Sequence, residues 1–234
     1  MNHVLITGSA GNLGLTVTKM FLKNNWSVTA LTKDSIESSV LESTFKDYTD
    51  ALTIYNCDVT DEEQVKQIFE LLEIKPISAV VHLVGGISAG QSIDETPLLV
   101  FENMITINTK STFLLLSHSV KLFKKNGISG SIITIGAKDN YHQAKNRSAY
   151  AASKAAVQSL SLTVAEEGKE YGIRSNVILP GVIRTSANLA WAENGEESKW
   201  TDPKSIANTI FYLATPVSKG INGTIIEMYG QMPA

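Results

Sequence analysis

The chain has 234 residues, of which 43% are hydrophobic and 18% charged, with a formal net charge of −3. These values suit one globular α/β domain over residues 1–234, and they give no support for nucleic-acid or anionic-membrane binding, which needs clustered Lys and Arg. No apolar run reaches the ~18 residues of a membrane span, and a single cysteine, Cys57, excludes an internal disulfide. Because the N-terminus does not resemble a signal peptide, we expect a cytoplasmic protein.

Short β-branched runs alternate with helical stretches along the chain. The runs are residues 3–7, 27–31, 51–56, 78–84, 130–136, 173–179 and 223–229, and amphipathic segments such as 61–74 lie between them. This alternation predicts a Rossmann-type, doubly wound, seven-stranded parallel sheet with helices on both faces. We expect loop or irregular helix over residues 33–50. A flap is expected over 181–201, where Trp191 and Trp200 either cover a flat substrate or pack against the body.

Three glycines, Gly8, Gly11 and Gly14, follow the first predicted strand within seven residues. One interpretation is a tight turn, since glycine adopts positive φ easily. The other is a phosphate cradle, in which glycines without Cβ lie between a strand and the free N–H groups of a helix. In doubly wound sheets, ligands bind at the carboxyl ends of strands, and this location favours the cradle.

Tyr150 and Lys154 are four residues apart in the alanine-rich segment SAYAASKAAVQSL, residues 148–160. They therefore lie one turn apart on one face of a predicted helix. A nearby ammonium lowers the pKa of a phenol from about 10, and a shift of roughly two to three units would suit general acid–base catalysis. The alternative is a surface helix with an incidental pair, which the α/β pattern and the glycine turn disfavour.

Six segments, in order and spacing, resemble the short-chain dehydrogenase/reductase family, in its small single-domain type, over nearly the whole chain. They are TGSAGNLG (7–14), CDVTD (57–61), LVGG (83–86), INTKSTF (107–113), YAASK (150–154) and PGVIRT (180–185). The resemblance implies hydride transfer between NAD(P)H and a C=O or activated C=N bond of a small molecule. It implies that Tyr150 exchanges the proton, that Lys154 holds the nicotinamide ribose and that Asn108 supports a water relay to Lys154.

The resemblance also implies where the cofactor binds and how the chain assembles. The implied cofactor contacts are Gly8, Gly11, Asn12, Leu13, Gly14, Thr32, Lys33, Asp58, Val59, Gly85, Ile107, Tyr150, Lys154, Pro180, Gly181 and Ile183. The resemblance implies that Asp58, with Val59 beside it, contacts the adenine and that Ile183 lies near the carboxamide. Helices matching 99–123 and 148–171 pair across a two-fold axis in this family, so we expect a homodimer or homotetramer. The four histidines are scattered without metal-ligand spacing, and no metal site is predicted.

Three positions depart from the usual pattern of the family. Asn12 stands where the second glycine of the turn is commonest, and it either takes a left-handed conformation or donates to a phosphate. Residues 83–86 read LVGG in place of Asn-Asn-Ala-Gly. Ala137 replaces the catalytic serine, and losing one oxyanion donor typically costs ~10²–10³ in rate. The candidates for a substitute donor nearby in sequence are Thr134, Lys138, Asn140 and His142.

Three functions remain open on the sequence. The leading hypothesis is a short-chain reductase with Tyr150 as the general acid. The second is a dihydropteridine reductase-like enzyme, because that branch resembles this chain in Gly136-Ala137-Lys138 and its quinonoid substrate needs less oxyanion stabilisation. The third is a dinucleotide-binding sensor or scaffold without turnover, which Ala137 permits but an intact Tyr150 and Lys154 argue against.

The residues after the second predicted strand bear on cofactor choice. An NAD-specific site usually has an acidic residue here, which accepts hydrogen bonds from the ribose hydroxyls. The chain instead has Thr32, and the neighbouring Lys33 can pair with a 2′-phosphate. Asp34, two residues after Thr32, offers a carboxylate that would oppose the 2′-phosphate. The pattern favours NADP(H) over NAD(H).

Overall fold

Seven parallel strands form one sheet in the computed structural model of the chain, which describes residues 2–140, 145–190, 192 and 195–232. The strands are β1 (His3–Thr7), β2 (Ser27–Thr32), β3 (Leu52–Asn56), β4 (Ala79–His82), β5 (Ser131–Ile135), β6 (Arg174–Pro180) and β7 (Ile225–Met228). Their order across the sheet is β3-β2-β1-β4-β5-β6-β7. The predicted strands are confirmed, with ends close to the predicted ones.

Helices cover both faces of this sheet. They are α1 (Asn12–Lys23), α2 (Ser35–Thr44), α3 (Glu62–Leu72), α4 (Leu98–Met104), α5 (Ser111–Asn126), α6 (Ser148–Glu167), α7 (Ser186–Leu189) and α8 (Pro203–Ala214). A π-helical segment, Ile105–Lys110, joins α4 to α5. The doubly wound Rossmann-type prediction is confirmed.

Two apolar clusters lie on opposite faces of the sheet and show why its strands read as continuous apolar runs. Val4 and Ile6 of β1 belong to the cluster under α1 and α8, whereas Leu5 between them belongs to the cluster under α3 and α5. Successive side chains of a strand point to opposite faces, so a strand covered on both faces needs apolar residues at every position.

The segment 33–50 contains a regular helix, α2, so the expectation of loop or irregular helix there is wrong. Asp34 begins it: one carboxylate oxygen accepts hydrogen bonds from the backbone N–H groups of Ile36 and Glu37, each 3.0 Å long. An aspartate in this position stabilises a helix start by about 1 kcal/mol. The local cap, rather than an apolar stripe, therefore specifies α2.

The segment 181–201 contains α7 and a short 3₁₀ helix, Glu196–Lys199. Trp200 at its end is only 4% exposed, which favours packing against the body over covering a substrate. Trp191 lies outside the described residues. Among the helices that the structure describes, none combines the length and apolar character needed to cross a membrane.

Candidate active site

The glycine turn lies at the carboxyl end of β1. Gly8 has φ +65°, which glycine adopts at little cost, and its carbonyl accepts a 3.1 Å hydrogen bond from the N–H of Gly11. A Cβ on Gly14 would overlap the carbonyl oxygen of Gly8 and lie 2.7 Å from the carbonyl carbon of Ser9. Gly14 thus allows the first turn of α1 to lie directly against the end of the strand.

The N-terminus of α1 leaves its first backbone N–H groups available to an anion. Gly11 is the N-cap residue, and in the described part of the chain no side chain caps the helix and no acidic residue lies in its first turn. The first N–H groups of a helix have no partner within the helix, and the helix dipole favours negative charge there. These features suit the phosphates of a dinucleotide.

Asn12 is the first residue of α1, so it does not take the left-handed conformation that one interpretation assigned to it. Its side-chain oxygen accepts a 2.6 Å hydrogen bond from the hydroxyl of Ser186. Asn12 thereby links the glycine turn to α7 in the 181–201 segment. The next residue, Leu13, packs against the apolar cluster under α1.

A cleft of about 480 Å³ opens beside the turn. Six of the sixteen predicted cofactor residues line it, together with side chains that the sequence did not single out. Its lining includes Gly8, Thr32, Lys33, Glu37, Asp58, Val59 and Ile107. The ends of β1, β2 and β3 and the π-helical segment therefore meet at one edge of the sheet, where a parallel α/β fold binds its ligand.

Thr32, the last residue of β2, and Asp34 are held by local hydrogen bonds. The hydroxyl of Thr32 is buried, 2.8 Å from the Ser38 hydroxyl and 2.9 Å from the Asn56 side-chain oxygen. The carboxylate of Asp34 caps α2. Neither side chain is directed freely into the cleft, so Glu37, three residues after Asp34 on α2, becomes the relevant acid.

Glu37 is a cleft residue that the sequence reasoning missed. Its carboxylate accepts a 2.8 Å hydrogen bond from the backbone N–H of Lys33. A signal for it exists in the sequence, since Asp34 followed three residues later by Glu37 is the pattern of a capping box. The cleft therefore presents one cation and one carboxylate at the carboxyl end of β2.

Asp58 and Val59 lie at the carboxyl end of β3. One carboxylate oxygen of Asp58 accepts hydrogen bonds from the backbone N–H and the hydroxyl of Thr60, at 2.9 and 2.7 Å. Val59 is buried beside it. Asp58 is exposed and lines the cleft together with Val59, at the position where the resemblance implies an adenine contact.

Lys154 lies one helical turn after Tyr150 on α6, and its side chain is buried. The residue is 6% exposed, and its Nζ atom donates a 2.9 Å hydrogen bond to the carbonyl of Ile135 at the end of β5. Burial lowers the pKa of Lys154 to about 8. A lysine side chain with this pKa can exchange a proton near neutral pH, between its ammonium and amine forms.

The pKa of Tyr150 moves in the direction opposite to the expectation from its spacing to Lys154. Burial, followed by the Asp139 carboxylate, raises the pKa of Tyr150 to about 12, while Arg147 opposes the shift. Arg147 and Asp139 form an ion pair with an N–O distance of 2.8 Å. Desolvation outweighs the opposing charge of Arg147 here because a phenolate is costly in a buried site.

Asn108 lies within the π-helical segment and bridges two other elements. Its side-chain oxygen accepts a 2.8 Å hydrogen bond from the N–H of Gly86, and its Nδ2 donates to the Gly86 carbonyl at 3.0 Å. The same Nδ2 lies 2.9 Å from the hydroxyl of Ser153 on α6. Single π-helical turns are frequent at functional sites.

Asn108 and Lys154 converge at Gly85. A Cβ on Gly85 would lie 2.8 Å from the side-chain oxygen of Asn108 and 2.8 Å from the Nζ atom of Lys154. Only glycine leaves both side chains in place, so the first glycine of the Gly85-Gly86 pair has a steric reason. The structure therefore brings together Gly85, Asn108 and Lys154, with Tyr150 on the same helix as Lys154.

Pro180, Gly181 and Ile183 lie at and just beyond the end of β6, at the same edge of the sheet. Pro180 is the last residue of β6, and the N–H of Gly181 donates a 3.0 Å hydrogen bond to the carbonyl of Met228 at the end of β7. Ile183 forms an isolated bridge with Thr201. These contacts anchor the start of the 181–201 segment, where the resemblance implies a contact with the carboxamide.

Ala137 follows β5 and is 5% exposed. Of the nearby candidates for a substitute donor, Thr134 is directed away, since its buried hydroxyl lies 2.7 Å from the hydroxyl of Ser161. The Nζ atom of Lys138 lies 5.2 Å from the centroid of the Tyr229 ring. The side chain of Asn140 and the whole of His142 lie outside the described residues.

Metal-ligating side chains do not cluster in the described part of the chain, where no group of three or more His, Cys, Asp and Glu residues could hold an ion. His82 is buried in the core. The features of the site are instead a helix start that no described side chain caps, a cleft of about 480 Å³ and a buried lysine one helical turn from a tyrosine. Such a site fits a dinucleotide and a proton-transfer reaction.

Comparison with known proteins agrees with this geometry. The family model for short chain dehydrogenase matches residues 2–196. The chain is 27% identical over 244 residues to the 3-oxoacyl-[acyl-carrier-protein] reductase FabG of Thermotoga maritima, covering 97% of this chain and 95% of that protein. It is 26% identical over 259 residues to the uncharacterized oxidoreductase YuxG of Bacillus subtilis, covering 98% of this chain but 37% of that longer protein.

The solved structure of ElxO with NADP bound is also similar, with a TM-score of 0.92 and 26% sequence identity over 98% of this chain and 97% of that one. The family match spans most of the sequence, and the fold and the cleft agree with it. The chain therefore belongs to the short-chain dehydrogenase/reductase family and is an NAD(P)-dependent oxidoreductase.

Proposed function

We propose that this oxidoreductase reduces a C=O or activated C=N bond of a small molecule, with Tyr150 as the proton donor and NADPH as the preferred cofactor. The observation that carries the proposal is the convergence of the Asn108 and Lys154 side chains at Gly85. Lys154 lies on α6, the helix that also bears Tyr150. Residues 1–234 act as one catalytic unit in this proposal. A reducing, cytoplasmic location is also part of it, which the free, buried thiol of Cys57 supports.

The cofactor is held by the turn at Gly8, Gly11 and Gly14, by the cleft residues and by Lys154. When bound, it supplies the hydride. The N–H groups at the start of α1 bind its phosphates, and Asp58 and Val59 contact its adenine. Gly85 leaves room for Lys154 to reach its ribose.

Tyr150 suits the reductive direction. A phenol with a pKa of about 12 keeps its proton at neutral pH, so it is ready to act as a general acid when the substrate oxygen or nitrogen gains electron density. The phenolate left behind needs a neighbouring cation. Lys154, one turn away with a pKa of about 8, provides one; it can return a proton to the phenolate and regain one from solvent, with Asn108 supporting the water relay.

The reaction is tested by mixing the protein with NADPH or NADH and a panel of diketones, ordinary ketones, quinones and quinonoid pterins. We expect the cofactor absorbance to fall with at least one electron-poor substrate. Such substrates need less stabilisation of a developing oxyanion, which Ala137 cannot give. Cofactor binding without oxidation across the whole panel would favour a sensor and contradict the proposal.

The variant Ala137→Ser should restore the missing donor. We expect kcat/KM for ordinary ketones to rise by about tenfold or more, because one well-placed oxyanion donor is worth roughly 10²–10³ in rate. The same variant should change turnover of a quinonoid pterin little. An unchanged rate on ketones would mean that another group, such as Lys138, already serves as the donor.

The preference for NADPH is supported by Lys33, an exposed cation in the cleft, and by the engagement of Asp34 as a helix cap. Glu37 acts against it, since its carboxylate lies on the same lining. The charges of Lys33 and Glu37 therefore together determine the preference between NADPH and NADH. An exposed charge pair contributes about 0.2–1 kcal/mol, so each residue should change affinity by only a few-fold.

Dissociation constants for NADPH and NADH measure this balance. Lys33→Ala should weaken NADPH binding about threefold at low salt and leave NADH binding unchanged, because only NADPH carries the 2′-phosphate. Glu37→Gln is the matched variant of opposite sign and should strengthen NADPH binding. Equal affinities for both cofactors, or a Lys33→Ala protein that binds NADPH normally, would contradict the assignment.

We also propose a homodimer or homotetramer. This is supported by exposed apolar side chains on α4 and α5, where Leu98, Leu99 and Phe113 are 69%, 66% and 54% exposed. Exposed apolar patches of this kind often mark protein interfaces. Light scattering at micromolar concentration should give at least twice the 25.4 kDa mass of the chain, and a monomer would contradict the proposal.

A further inference from the structure

His82 ends β4 and is 3% exposed, and the proposed reaction assigns it no task. Its Nδ1 atom lies 2.7 Å from the hydroxyl of Thr7, the residue before the glycine turn. Its Nε2 atom lies 3.2 Å from the hydroxyl of Ser111, the residue after the π-helical segment. The imidazole therefore connects the turn that binds phosphate with the helix that carries Asn108.

The neighbouring hydrogen bonds decide which nitrogen carries the proton. The N–H of Leu83 donates to the Thr7 hydroxyl at 3.2 Å, and the Ser111 hydroxyl donates to the Ile107 carbonyl at 2.6 Å. If His82 is protonated on Nε2, Thr7 donates to Nδ1 and Nε2 donates to Ser111, so every hydroxyl proton has an acceptor. Protonation on Nδ1 would turn the Ser111 proton toward His82 and leave two oxygens facing each other at 2.6 Å.

The imidazole is also held in its neutral form. Burial, followed by the charge of Lys154, lowers the pKa of His82 to about 3. A neutral ring fits this place, because a second buried cation would oppose the ammonium of Lys154. A one-way chain of hydrogen bonds in a buried site is rigid, since each bond fixes the direction of the next.

The far end of this hydrogen-bond chain positions the side-chain amide of Asn108. Ser111 donates to the carbonyl of Ile107, the residue directly before Asn108, and Asn108 in turn binds Gly86 and lies 2.9 Å from the Ser153 hydroxyl on α6. A shift of the π-helical turn would therefore move the Asn108 amide relative to Lys154. Misplacement by about 1 Å costs up to ~10²-fold in rate at sites that depend on orientation.

We propose that His82, as a neutral imidazole protonated on Nε2, is a positioning residue that fixes the Asn108 turn relative to the phosphate-binding turn at Gly8. The inference rests on the proposed function only where it concerns turnover. Its structural part concerns the hydrogen-bond chain from Leu83 through Thr7, His82 and Ser111 to Ile107.

The first test uses nuclear magnetic resonance on the full chain with NADPH present. Nitrogen spectra should show His82 protonated on Nε2, with no titration between about pH 5.5 and about pH 8, whereas a free histidine titrates near 6.5. The side-chain amide of Asn108, assigned by its loss in Asn108→Asp, should shift in both His82→Leu and Ser111→Ala. His82 protonated on Nδ1, or an unmoved Asn108 amide, would overturn the inference.

The second test is a double-mutant cycle on turnover per correctly folded site. We expect His82→Leu and Ser111→Ala each to lower kcat about tenfold, and the double variant to lose little more, because both break one chain. His82→Gln, whose amide nitrogen can reach the place of Nε2, should recover part of the loss. If the kcat losses of the two single variants multiply in the double variant, the damage is ordinary packing damage and the inference is overturned.

The two tests separate this inference from the proposed function. If no substrate of the panel is reduced but the resonances of His82 and Asn108 behave as expected, the reaction assignment is wrong and the hydrogen-bond chain stands. If His82→Leu does not fold, Ser111→Ala and the spectrum of the unsubstituted protein still give a decisive answer.

Discussion

Replacing Tyr150 with phenylalanine is expected to lower kcat about 10³-fold on the best substrate while leaving the Kd of NADPH within about threefold. The phenol proton is needed only in the chemical step, and general acid catalysis contributes roughly 10²–10⁴ in rate. The ring stays in the variant, so packing around the half-buried side chain is preserved. Stopped-flow reduction rates and quenching of NADPH fluorescence measure the two quantities separately.

A matched control is available in Tyr171, which lies beyond the end of α6 with its ring under the ammonium of Lys124. Tyr171→Phe makes the same chemical change outside the proposed site and should leave kcat and cofactor affinity unchanged. Lys154→Ala should reduce both quantities, because the proposed function assigns Lys154 to the ribose and to the phenolate. A near-normal kcat for Tyr150→Phe would show that another group donates the proton.

The sheet could be predicted from sequence because its physical cause is local. A strand covered on both faces needs consecutive apolar residues such as Val4, Leu5 and Ile6, and such runs are readable without knowing their neighbours. Helix α2 was missed because its apolar face is short: Leu41 is its only fully buried residue among those described. Its start is specified by Asp34 and Glu37, a local signal that the apolar pattern hides.

The candidate site was predictable where one short segment carries it. Gly8 to Gly14 and Tyr150 to Lys154 are such segments, and the structure places each at the carboxyl edge of the sheet. The pKa of Tyr150 was not predictable, because its direction depends on burial and on Asp139, whose approach is a product of the tertiary fold. The sequence spacing reports the helical neighbour Lys154 and nothing of the burial that raises the pKa of the Tyr150 phenol.

The partners of Asn108 and His82 were not predictable for a related reason. His82 and Thr7 are 75 residues apart, and Asn108 and Ser153 are 45 apart. Their side chains meet because β1 and β4 are neighbours in the sheet and α6 packs on the π-helical segment. Serine, threonine and histidine are common in α/β proteins, and only the sheet order selects which of them pair.

Gly14→Ala is expected to have the second large effect, on both folding and cofactor binding. The added Cβ would overlap the carbonyl oxygen of Gly8 and lie 2.7 Å from the carbonyl carbon and oxygen of Ser9. These are all backbone atoms, so no flexible side chain can move aside. Overpacking typically costs about 1–3 kcal/mol, and we expect a loss of unfolding free energy at the upper end, with NADPH affinity at least tenfold weaker.

Gly11→Ala is the matched control for this prediction. Gly11 has φ −67°, which alanine adopts readily, and its added Cβ would lie 3.3 Å from the Gly8 carbonyl oxygen. A loss of about 1 kcal/mol or less is expected, as for alanine at an N-cap. Urea unfolding and NADPH fluorescence titration compare the variants. If Gly14→Ala were as stable as Gly11→Ala and bound NADPH as tightly as the unsubstituted protein, close approach of α1 to β1 would not be what this glycine provides.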